Sequence, residues 1–103
     1  MTRQVALTST AKADLVGIWR YTVSEWSEAK AEQYLKGLRE TFTLLALHPE
    51  IARIRQEITP AVRLHLHRSH LVIVVETDDF LNVLRVVHSR SDWRLHWVDL
   101  ISG

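Results

Sequence analysis

At 103 residues the chain is read as a single domain, 1–103, and a domain of this length buries roughly 65% of its unfolded surface, enough for one core but not for a deep enclosed pocket. Cysteine is absent, which removes disulfides, thiolate metal sites and thiol catalysis together and fits a reducing cytoplasm. A hydrophobic content of 47% excludes a disordered chain, and a net charge of +1 provides no overall field toward nucleic acid or an anionic membrane.

Taken from the start, Gln4-Val5-Ala6-Leu7 reads as a short strand that must pair with a sheet edge. Ala11, Leu15, Ile18, Thr22 and Trp26 then follow a helical rhythm, with Ser9 or Thr10 as the expected N-cap. A second stripe holds Ala31, Leu35, Leu38, Phe42, Leu45 and Ala46, flanked by Tyr34. Ser27 is placed to cap it, and Glu28 sits in the first turn, where the helix dipole favours a negative charge. Pro49 ends this helix by keeping His48 out of helical angles.

Beyond Pro49 the period changes from 3.6 to 2. Val62, Leu64 and Leu66 alternate with Arg63, His65 and His67. Leu71 to Val75 and Val83 to Val87 are rich in β-branched residues, with short turns at Ser69-His70 and Asp78-Asp79. Connections this short require an antiparallel meander. The tail from Asp92 to Leu100 is compatible with a short helix. The expected fold is α+β, in the order β-α-α-β-β-β, with a helical hairpin packed on a small antiparallel sheet. Leu71 to Val75, the longest apolar run, is far too short to cross a bilayer, and the opening residues lack the apolar segment of a signal peptide. A cytoplasmic location without membrane contact is the expectation.

Charge is less even than its total. Between Arg53 and His70 stand Arg53, Arg55, Arg63 and Arg68, one acid (Glu57) and three histidines. Arginine is suited to bidentate contact with carboxylate or phosphate, though a solvated strand face with ion pairs explains the same pattern. His65-x-His67 puts two imidazoles on one strand face, but no third ligand stands at zinc spacing, so no metal and no cofactor are expected and the rings are read as solvent-facing or ion-paired. Three glycines, two of them inside helices, exclude phosphate-loop and dinucleotide fingerprints. A ribonuclease would draw on Arg63, Arg85, His88 and Glu57 for proton transfer and phosphorane stabilisation. Arg85 and His88 differ by an odd number, however, so a regular strand sends them to opposite faces unless a bulge intervenes. Arg85, in phase with Leu81, Val83 and Val87, reads as an ion-paired structural residue, and no catalytic residue is assigned.

The apolar arc of the first helix is wide. Trp26 is assigned to its core stripe, whereas Val16, Trp19 and Val23 form a second row beside it; Leu44 and Leu47 lie outside the stripe of the second helix. A wider core, a homodimer seam and a groove for an amphipathic partner all fit these residues. Trp93 and Trp97 are one helical turn apart in the tail.

Ala13-Asp14-Leu15-x-x-Ile18-x-x-Tyr21, Ala31-x-x-Tyr34-x-x-x-Leu38, Pro49-x-x-x-Arg53-x-Arg55-x-Glu57-Ile58, Arg63, His70 and Val86-Val87-His88-x-Arg90-x-Asp92 together resemble the ParE branch of the RelE/ParE toxin superfamily. Ala52 and Ala61 stand where the family usually has glycine, and Val75 replaces a common aromatic. The resemblance implies the toxin of a bacterial type II toxin–antitoxin pair that stalls DNA gyrase without catalysis of its own. It further implies neutralisation by a cognate ParD-like antitoxin, which alone would contact operator DNA. Val16, Trp19, Val23, Leu44 and Leu47 are then the expected antitoxin contacts. Arg53, Arg55, Arg63, Arg90, Trp93 and Trp97 are the expected target contacts. A ribosome-dependent mRNA endonuclease of the RelE type is the alternative.

Overall fold

In the computed structural model, which describes residues 3–56 and 61–93, two helices pack on one face of a five-stranded sheet. The elements are β1 (Gln4–Leu7), α1 (Ser9–Glu25), α2 (Glu28–Leu47), a single 3-10 turn (Pro49–Ile51), β2 (Arg53–Arg55), β3 (Val62–His67), β4 (His70–Glu76) and β5 (Phe80–His88). The strand order is β1-β5-β4-β3-β2. The meander β3-β4-β5 is antiparallel as expected, and β1 takes the free edge of β5. That last pairing is parallel, which makes the sheet mixed. β2 is an additional short strand, antiparallel to β3, in a segment too brief to show any periodicity.

The helix boundaries follow local chemistry. Thr8 caps α1: its hydroxyl oxygen accepts from the Ala11 N–H at 3.0 Å and its proton goes to the Leu84 carbonyl at 2.8 Å. The cap is thus one residue earlier than Ser9, and the same Thr8 hydroxyl also ties the start of the helix to β5. Ser27 caps α2 through the Lys30 N–H, and Glu28 occupies the first turn. α1 stops at Glu25. Trp26 leaves the helical path (φ −133, ψ −88), so its indole swings away from the stripe to which its spacing assigned it and is 73% exposed.

The core between helices and sheet contains Ala11, Ile18, Leu35, Leu38, Phe42, Leu45, Val72, Val74, Leu81, Val83 and Val86. Trp19, the middle member of the row Val16, Trp19 and Val23, packs against this core while remaining partly exposed, so it is not separate from the core. The opposite sheet face has a second cluster, Val62, Leu64, Ile73, Val87 and Trp93. A register shift between β4 and β5 divides the two sets: Ile73 pairs with Arg85 and Val74 with Val83, leaving Leu84 extra. Such a bulge changes the parity of every residue beyond it. Val86 therefore faces the helices, although Val83, three residues earlier, does too.

Candidate functional site

Asp14, one turn into α1, accepts from Arg85 Nε at 2.7 Å, from Arg85 Nη2 at 3.0 Å and from the Val86 N–H at 2.9 Å. One carboxylate thus holds both the guanidinium and the bulged backbone of β5. Arg85 is ion-paired, as expected of it, but the odd spacing of Arg85 and His88 does not keep them apart. Both line the same open depression of about 790 Å³ between α1 and the end of β5, together with Tyr21, Trp26 and His70.

The ring tautomers around this end of the sheet follow from counting protons. Thr41 gives its hydroxyl proton to the Gly37 carbonyl at 3.0 Å, so it accepts from His67 Nδ1 at 3.0 Å. Tyr34 lies 3.3 Å from the His67 carbonyl and 2.7 Å from His70 Nδ1. Both contacts are satisfied when the phenol donates to the carbonyl and accepts from the His70 ring. The Arg90 N–H donates to His88 Nδ1 at 3.1 Å, which places the neutral His88 proton on Nε2. Burial lowers the pKa of His67 and His70, helped by neighbouring Arg68 and His88 respectively, and raises that of Tyr34. His67 is accordingly not a solvent-facing ring: it packs edge-on to Tyr34, over Gly37 of α2.

The residues expected to contact an amphipathic partner do not all lie alike. Val16, Leu44 and Leu47 are 47%, 44% and 48% exposed, while Trp19 and Val23 are half-buried. Val16 is midway along α1, and Leu44 and Leu47 are in the last turn of α2, so a groove containing both must run along the hairpin. Ile51 and Ile54 extend the exposed apolar surface beyond the end of α2. No periodicity marks them, because a 3-10 turn and a three-residue strand are too short to have one.

The expected target contacts are divided between the sheet faces. Arg53 and Arg55 share their side with Leu64 and Val62, their cross-strand partners, and line a depression of about 520 Å³ with His65, Leu66 and Trp93. Arg63 points to the helix side. Its Nε lies 2.9 Å from both carboxylate oxygens of Glu76 and its Nη1 donates to the Ala52 carbonyl at 3.0 Å. Arg90 is exposed in the turn after β5. Trp93 is only 6% exposed and belongs to the second cluster, so its indole serves the fold as well as any surface. Trp97, the remainder of the expected tail helix and Glu57 lie outside the described residues.

Residues 5–93 match the family described as ParE toxin of type II toxin-antitoxin system, parDE. "Toxin ParE" of Escherichia coli is 31% identical over 98 residues, covering 94% of this chain and 95% of the relative. "Toxin ParE1" of Caulobacter vibrioides is 29% identical over 90 residues, covering 87% and 93%. Among solved structures, the chromosomal ParDE TA system from P. aeruginosa superposes with a TM-score of 0.71 at 21% identity, covering 84% of this chain and 96% of that one, which shows a shared fold.

Proposed function

The chain belongs to the ParE toxin family of type II toxin–antitoxin systems, and on that premise we propose that it stalls DNA gyrase in the cytoplasm by binding alone, and that a ParD-like antitoxin neutralises it. The observation that carries the non-catalytic part is the state of the arginines. Arg63 is committed to Glu76 and the Ala52 carbonyl, and Arg85 to both carboxylate oxygens of Asp14. A guanidinium already held in an ion pair with a carboxylate is poorly placed to meet a developing phosphorane charge. Arg53, Arg55 and Trp93, gathered on the sheet face away from the helices, are the proposed target surface. The solved ParDE assembly supports an antitoxin partner, and the exposed Val16, Leu44 and Leu47 are its proposed anchors, with Trp19 and Val23 beside them. Operator DNA is proposed to be reached only through the antitoxin, in keeping with a net charge of +1.

One observation favours the ribonuclease alternative: His65 borders the same depression as Arg53 and Arg55. The purified toxin separates the two readings. Accumulated gyrase–DNA cleavage complexes, with mRNA on ribosomes left intact, are expected. Cleavage of ribosome-bound mRNA with gyrase unaffected would overturn the proposal. For the antitoxin surface, Val16→Asp and Leu47→Asp are expected to weaken binding at least tenfold without moving the thermal unfolding midpoint.

A further inference from the structure

A second, smaller depression lies on the other side of Trp26, where the end of α1, the first turns of α2 and the β3–β4 turn meet. We propose that it binds a 5′-phosphorylated nucleoside, free or as one unit of a single strand, with the base against the Trp26 indole and the phosphate on Arg68 and Lys30. Its volume is about 400 Å³, within the range of small-ligand pockets. Lys30, Arg68, Gln33, Tyr34 and His67 line it beside Trp26, and no carboxylate does. Among the described residues no acid pairs with Lys30 or Arg68. Two unneutralised cations beside one open aromatic face are the chemistry of phosphate plus base: guanidinium suits phosphate, and stacking accepts any base. A protein partner would want a broader apolar rim than one indole.

Two backbone features support a built site. Arg68 is the one described non-glycine residue with positive φ, at 54°, in the two-residue turn between β3 and β4. Glycine adopts that conformation freely, and an arginine there carries a conformational cost that the fold does not require. The turn therefore holds a guanidinium where turn chemistry alone would select its absence. Gly37 forms part of the floor, and a Cβ there would stand 3.4 Å from His67 Nε2, so the missing side chain keeps the floor low. The floor is also rigid: His67 is held by Thr41, and Tyr34 by His70.

The test titrates the full chain with adenosine 5′-monophosphate, with adenosine, and with a 5′-phosphorylated octathymidylate, following the Trp26 indole N–H by NMR and the affinity by calorimetry. Saturable binding of the monophosphate but not the nucleoside is expected, at least tenfold weaker in Arg68→Gly and in Trp26→Ala and unchanged in Lys12→Ala at the far end of α1. Arg68→Gly relieves the left-handed strain, so loss of folding does not confuse the result. Binding of the oligonucleotide alone, with the same dependence on Arg68 and Trp26, assigns the site to single strands. Absence of binding by both phosphorylated probes, or binding indifferent to Arg68→Gly, overturns the proposal.

Discussion

Asp14 ties α1 to β5 through both a side chain and the backbone. Its carboxylate and the Arg85 guanidinium are only 14% and 19% exposed, and the same carboxylate holds the Val86 N–H of the bulge. Removing one partner of such a pair leaves an uncompensated charge largely out of water, so Asp14→Ala is expected to cost about 3 kcal/mol in urea unfolding. Asp14→Ala/Arg85→Ala is expected to cost clearly less than the two single changes added, which a double-mutant cycle measures. Gly17 carries the opposite expectation. It lies inside α1, and an added Cβ would meet nothing within 4 Å. Gly17→Ala should therefore stabilise the fold by about 1 kcal/mol through helix propensity, read as a rise in the denaturation midpoint. Trp19 differs from both. Because it packs on the main core, Trp19→Ala tests stability and partner contact together, and the exposed Val16 is the cleaner probe.

At the scale of elements, α2 and the β3–β4 hairpin are joined through histidines that fold in the neutral form. His67 and His70 both have pKa values below the ordinary 6.5, first because burial disfavours the imidazolium. Between the folded and unfolded pKa values the unfolded chain binds more protons. The stability these rings contribute is therefore complete above about pH 6.5 and is lost as pH falls through their lower folded-state values. Urea midpoints are expected to drop between about pH 7.5 and about pH 5.5, and His70→Gln should flatten that dependence while leaving the neutral-pH fold in place. A wild-type midpoint that stays level across this interval would remove the histidines from the account. Edge strands show the same dependence on neighbours. β1 is only four residues long and persists because β5 offers a parallel edge and Arg3 reaches the Thr77 carbonyl at 2.7 Å.

For the whole molecule, the sheet buries apolar side chains on both faces, and this changes what the tail can be asked to do. Trp93 fills the cluster opposite the helices. Deleting a buried indole typically costs about 3 kcal/mol or more, a large part of a small domain's total stability. A chain ending at Asp92 is thus expected to unfold at lower denaturant than the full chain. A chain ending at Trp93 restores the indole and should unfold at higher denaturant than the chain ending at Asp92, and its toxicity is compared with that of the full chain. Circular dichroism with urea, paired with colony formation on induction, measures both.

Long, regular elements were legible from the residues alone. The six-residue stripe of α2 is buried at every position, Ser27 caps it, and the meander follows from period-2 patterning with turns too short to cross over. The family too was legible, because its spacing runs through most of those elements. Tertiary structure decided whatever depends on a neighbour distant in sequence. Trp26 has helical spacing but an exposed indole, because the chain turns before the helix reaches it. His88 lines the same depression as Arg85 despite their odd spacing, and Asp14, more than seventy residues earlier, holds Arg85 and the Val86 N–H just beyond a bulge that no local pattern announces. Arg63 looked like its neighbours Arg53 and Arg55, yet strand pairing brings it to Glu76 on the other face. Periodicity reports which side of its own element a residue occupies; which charge or cavity waits on that side is set by the packing of elements that the sequence keeps far apart.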